Sequence, residues 1–180
     1  MSRIPVINFD NANADQRVLL EAVATQMGDL PDYIKLLANS PTTLKAFMGM
    51  LLIANQGSLS RQTCARIAIA IAQRHSSEYG WKSPALIGSK VGLTGNEIAA
   101  NREGTSEDAR AAVAVKLALS LSETIGAVET AQLNHARVSG FTNADIVEIV
   151  AHVGMNLLAS MLANAGQIDV SPSSKPYDPN

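Results

Sequence analysis

Apolar residues recur along the chain at intervals of three and four, in blocks that open on a capping residue and several of which close at a glycine, the pattern of amphipathic helices. Ser40 and Pro41 supply a cap and a first-turn proline ahead of TLKAFMGMLLIA, and Thr94 with Glu97 forms a Thr-x-x-Glu capping box. Ser106, Glu107 and Asp108 open a segment in which Val113, Leu117 and Leu121 repeat at helical spacing as far as Gly126. Thr142 caps the longest run, where Ile146, Val150, Val153 and Leu157 form one apolar stripe that ends at Gly166. Residues 65–72 read ARIAIAIA, a strict alternation that would suit a half-buried strand. Neither face of the alternation is polar, however, and the pattern continues over 60–75 without a turn signal, so a buried helix is predicted. The expectation is an all-α chain of roughly eight helices without a sheet. One domain over 1–170 is expected, with an extended arm over 1–12 that contains Pro5 and a mobile, proline-rich tail over 171–180.

Composition narrows the reading. The 180 residues are 47% hydrophobic and 17% charged, too apolar for a disordered chain, yet aromatics are only 4% while alanine occurs 27 times. A core of Ala, Leu, Ile, Val and Met favours closely packed helices over sheets. The net charge of -2 carries no general footprint for nucleic acid or an anionic membrane. The uncharged stretch 149–168 holds His152, Asn156, Asn164 and Gln167, each costly in hydrocarbon, and is read as a buried helix. No signal or transit segment is recognised, and a cytoplasmic location is expected. A single cysteine, Cys64, excludes an internal disulfide and any Cys-x-x-Cys pair.

Three strings carry a resemblance: SEYGW over 77–81, EIAANREGTSEDARAAVAV following Gly92 and Leu93, and GFTNADIVEIVAHVGMN over 140–156. Through them the chain resembles the carboxymuconolactone decarboxylase and alkyl hydroperoxidase D-like family, and within it the peroxidase-related branch. The resemblance implies an orthogonal helical bundle, a homo-oligomer (trimer or hexamer), a small-molecule ligand, and no cofactor. Redox members of that family carry Cys-x-Tyr-Cys-x-x-x-His, with a glutamate twelve residues before the first cysteine. Here Ser77 and Gly80 stand at the cysteine positions, Pro84 at the histidine and Ala65 at the glutamate. Tyr79 is kept, and Trp81 is similar to the Glu-Tyr-x-Trp string of the decarboxylase branch. Thiol peroxidase chemistry is therefore expected to be absent, because serine cannot cycle through sulfenic acid and disulfide. Two readings stay open. One is a cofactor-free, non-redox enzyme or binding protein for a small organic ligand, carboxylated ligands included; the other is a catalytically silent structural oligomer.

The candidate site follows from those positions. His75, Glu78 and Tyr79 are the candidate acid–base groups, since imidazole titrates near neutrality and partial burial shifts the others; Ser77, Trp81 and Lys82 are candidate ligand-binding residues. The simpler reading makes His75 a helix-terminal cation and Glu78 a solvated connector. Arg61, Arg66, Arg74, Lys82 and Lys90 against Glu78 leave a local excess of four positive charges, expected to scatter over several faces. Glu148, His152 and Asn156 share one face of the last helix and are read as a hydrogen-bonded packing stripe; a metal site is not expected from three histidines in all. Cys64 is read as a small buried residue.

Overall fold

The computed structural model of the chain describes residues 2–27, 30–54, 56–75 and 82–167. Within them lie nine helices and no strand: α1 Ala14–Met27, α2 Asp32–Leu37, α3 Pro41–Ala54, α4 Arg61–His75, α5 Lys82–Lys90, α6 Gly95–Arg102, α7 Ala109–Thr124, α8 Thr130–Val138 and α9 Asn143–Gly166. The all-α expectation holds, with one helix more than the sequence suggested. The segment before α1 turns over residues 9–11 and is tied down: Arg3 N donates to Gly166 O at 2.8 Å, and Ile7 is buried beside α2. The tail 171–180 lies outside the described residues.

The alternating segment is α4, and its packing explains the alternation. Residues four apart fall on one face of a helix, and positions two apart fall on nearly opposite faces. Ile67 and Ile71 accordingly enter a core shared with α7, α8 and α9, while Ala65 and Ile69 enter a second cluster with Leu93 of the α5–α6 turn. All three isoleucines are wholly buried. A helix enclosed on both sides has no polar face to show, so two rows spaced by four read as a period of two. Each of these isoleucines contributes roughly 2–3 kcal/mol by burial.

A third core, formed by α1, α2, α3 and the distal part of α9, is centred on Leu20, Ile34, Leu44, Phe47 and Met155. Helix α9 joins the cores, with Ile149 and Val153 in one and Met155 in the other. It is long and apolar enough to cross a membrane, but it packs against α2, α3, α4, α7 and α8. Its start is the capping box formed by Thr142 and Asp145. The box foreseen at Thr94 is half made. Thr94 Oγ1 accepts from Glu97 N at 3.1 Å, but the Glu97 carboxylate turns inward, where stronger donors hold it.

Candidate functional site

The sequence places its site where α4 gives way to α5. His75 is the last residue of α4, and its backbone carbonyl accepts from Asn164 Nδ2 of α9 at 2.6 Å. Its ring Nε2 lies 2.8 Å from Ser122 Oγ of α7. The Ser122 hydroxyl donates its one proton to Leu119 O at 2.7 Å, so His75 Nε2 is the donor in their contact. Lys82 opens α5 and is half-buried, and Pro84 occupies the first turn, where its missing N–H costs nothing. Ser77, Glu78, Tyr79, Gly80 and Trp81 lie outside the described residues. Of the predicted site residues, then, His75 and Lys82 are placed at the junction, and the partner that fixes His75 is Ser122, which the sequence did not single out.

Next to this end of α4 lies a cleft of about 270 Å³ lined by Ala70, Gln73, Arg74, Arg102, Gly104 and Leu119. Arg102 Nε donates to Gln73 Oε1 at 2.9 Å, and Arg74 pairs at 3.3 Å with Glu123, both largely exposed to water. Gly104 has φ +81°, and a Cβ there would sit 2.8 Å from Leu119 Cδ1, so only glycine fits this wall. The expected scattering of the basic residues is partly what occurs: Arg74 reaches the cleft, while Arg66 is half-buried and paired elsewhere. Arg102, outside the basic stretch, supplies the second guanidinium, a convergence that spacing along the sequence could not reveal.

Arg66 instead anchors a buried knot. Glu97, 4% exposed, accepts from Arg66 Nε at 2.5 Å, Asn101 Nδ2 at 2.9 Å, Ser106 Oγ, and Glu107 N at 2.7 Å. Burial alone would raise its carboxyl pKa; the hydrogen bonds from Ser106, Asn101, Arg66 and Glu107 outweigh it and hold the pKa down to about 2. The knot clamps α6 and the turn before α7 onto α4.

At the amino end of α4 the polar stripe of α9 meets the loop that precedes the helix. Glu148 accepts from Ser58 N and Leu59 N, each at 3.0 Å, and from Ser58 Oγ at 3.1 Å. Asp145 also accepts from Ser58 Oγ. Burial pushes the Glu148 carboxyl up, but these donors prevail and keep it below the ordinary range; Asp145 is lowered chiefly by its bond from Ser58. Asn156 Nδ2 donates to His152 O at 2.7 Å, in keeping with the packing stripe. His152 is hydrogen-bonded too, to a partner outside the stripe. Its side chain is 3% exposed and Nε2 lies 3.3 Å from Cys64 Sγ, so Cys64, half-buried in the first turn of α4, has an imidazole partner 88 residues away. Nothing in local spacing could have linked the two. Burial, and then the Glu148 charge, push the Cys64 thiol up to about 11; burial lowers His152, against the opposing pull of Glu148 and Ala54. Among the described residues no group of three or more His, Cys, Asp or Glu is placed to hold a metal.

No protein-family model and no curated protein matches the chain. Solved structures do. An uncharacterized peroxidase-related protein from Silicibacter sp. TM1040 superposes with a TM-score of 0.78 at 18% identity, covering 92% of this chain and 88% of that one. An alkylhydroperoxidase AhpD core, an uncharacterized peroxidase-related protein from Ralstonia eutropha JMP134, gives 0.74 at 23% identity over 98% and 93%. The debrominase Bmp8, in complex with 2,3,4-tribromopyrrole, gives 0.75 at 13% identity over 96% and 93%. This chain therefore has the helical fold of the alkylhydroperoxidase D-like, peroxidase-related proteins.

Proposed function

We propose that the protein is a cofactor-free, non-redox protein of this fold that takes a small organic anion at the carboxyl end of α4, with His75 as its acid–base group. The observation that supports this most is the open, largely polar cleft, which Arg74, Arg102 and Gln73 line beside Ala70 and Leu119. Guanidinium groups suit a carboxylate. His75 follows Arg74 directly, and Ser122 fixes the orientation of its ring. Ser77, Glu78, Tyr79 and Trp81 come next in the chain, and in this reading they complete the ligand's surroundings together with Lys82. Bmp8, of the same fold, is a debrominase solved with a small aromatic ligand, which makes chemistry on such molecules a reasonable use of this architecture.

The test is calorimetric titration with aromatic and lactone carboxylates and their neutral amides, with Trp81 fluorescence as a second readout. Carboxylates should bind and amides should not, and Arg74→Met or Arg102→Met should weaken binding about tenfold or more, the loss of one charge-assisted hydrogen bond. Equal binding by parent and both variants would remove the cleft from the reading.

A second reading, the catalytically silent homo-oligomer, is favoured by a different observation. Val147, Val150, Gly154 and Met161 are all exposed and fall within one narrow strip of α9, about 20 Å long at 1.5 Å per residue. Val147 is 67% and Met161 59% exposed, an apolar stripe suited to another copy of the chain.

A further inference from the structure

The amino end of α4 holds a nucleophile and a base that neither reading above uses. Cys64 is half-buried, His152 lies in the interior with Nε2 3.3 Å from Sγ, and the imidazole donates to the Ala54 backbone. A neutral ring has one N–H, and donating it to the Ala54 carbonyl leaves a lone pair on Nε2 facing the thiol. Glu148 is close enough to act on both groups, but its oxygens are held by Ser58 and Leu59, and Gly57 leaves no room to spare: a Cβ there would lie 2.5 Å from Glu148 Oε2. The carboxylate is a fixed negative charge that disfavours a resting thiolate and repels anionic reagents. Such a site is a thiol with a general base in reach, selective for neutral electrophiles.

We propose that Cys64 and His152 form a nucleophilic thiol–imidazole pair that adds to uncharged alkenes conjugated to a carbonyl. The Sγ–H proton passes to His152 Nε2 as sulfur bonds to the β-carbon, and the alkene π pair moves onto the carbonyl as an enolate. His152 then returns the proton to the α-carbon. The sum is addition of S–H across C=C, a thioether adduct formed with no oxidant, reductant or second thiol, which fits a chain with one cysteine.

Base assistance and simple thiolate attack differ in pH dependence. A free thiol with a pKa of about 11 is thiolate in roughly one molecule in ten thousand at pH 7, and that fraction rises about tenfold per pH unit. Assisted attack instead needs only neutral His152, whose pKa is lowered from 6.5. The titratable groups that bear on the ring are Cys64 from α4 and Glu148 from α9; among the described residues no charged group of α2, α3, α7 or α8 is a cause of its shift. The experiment follows adduct formation between the full chain and 2-cyclohexen-1-one by intact-protein mass spectrometry from pH 5 to 9. The parent should form one adduct, at a rate that climbs below about pH 6.5 and is level from about 7 to 9, and Cys64→Ser should form none. His152→Asn should react roughly 100-fold more slowly at pH 7 and lose the level region. A parent rate that rises about tenfold per unit across the range would overturn the proposal, and so would a folded His152→Asn that reacts like the parent. The parent profile decides even if that variant fails to fold, and neither result depends on the arginine cleft.

Discussion

Replacing Glu97 by Gln removes one charge and changes almost nothing in shape. The carboxylate has four donors, and Arg66, 13% exposed at its side chain, is paired with it at 2.5 Å. Glutamine can accept at one position, but its amide N–H₂ must then face a donor, and Arg66 is left charged in a buried place. Breaking one side of such a pair costs about 3–5 kcal/mol, which for a chain of this length lowers the melting temperature by roughly 10 °C or more. The titration shift supplies an independent figure. A pKa lowered from 4.5 to about 2 corresponds to about 3 kcal/mol of folding stability, an upper bound because water reaches part of the knot. Since the folded pKa is depressed, this stability is fully present above pH 4.5 and is lost as pH falls toward 2. Urea unfolding at fixed protein concentration, at pH 7 and at intervals down to pH 2.5, should show the parent losing this increment over that window. Glu97→Gln should be weaker at pH 7 and lack the same part of the pH dependence. Arg66→Met combined with Glu97→Gln should recover part of the loss, because the stranded charge is gone. A loss under 1 kcal/mol at pH 7, or parallel pH curves for parent and variant, would show that the knot does not hold α6 to α4 as argued.

Gly57→Ala should cost about 1–3 kcal/mol in urea unfolding, because its methyl meets a Glu148 carboxylate that Ser58 and Leu59 hold in place; an unchanged midpoint would mean that the loop moves freely. Light scattering should report a multiple of 19.0 kDa, and Val147→Glu with Met161→Glu should return it to one chain, whereas a parent that is already a monomer at micromolar concentration would leave the α9 stripe without that role. Peroxide supplied with a dithiol or lipoylated reductant should not be turned over, since Cys64 is the chain's one cysteine; sustained turnover abolished by Cys64→Ser would contradict the non-redox reading. Ile69→Ala should destabilise by about 2–5 kcal/mol, because the alternating segment buries both of its faces; a cost below 1 kcal/mol would mean that the second face of α4 is not packed.

Much of the fold was legible in the sequence because its signals are local. Thr142 with Asp145, Thr94 beside Glu97 N, and Gly126 with φ +86° each act within one turn of their own helix, so residue type and spacing suffice to place them. The ARIAIAIA segment could be assigned as a helix from its length and its lack of a polar side. That it alternates because two cores enclose α4 could not be read, since the second core is supplied by Leu93 from another part of the chain. The half-made box at Thr94 has the same cause. Glu97 has the right spacing to reach back to its cap, but Arg66, Ser106 and Glu107 are stronger partners brought there by packing.

The sequence by itself determined the helical class, the caps of α6 and α9, the resemblance to the alkylhydroperoxidase D-like fold and the absence of a thiol pair, all properties of neighbouring residues or of counting. Only the tertiary structure decided which polar groups meet: His75 with Ser122, Arg74 with Arg102 around a cleft, and Cys64 with His152 across 88 positions. The reason is physical. Capping and periodicity are set by hydrogen bonds and burial within a turn or two, whereas these pairings arise when separate helices dock to bury their apolar faces, and a side chain's partner is then whatever the neighbouring helix presents.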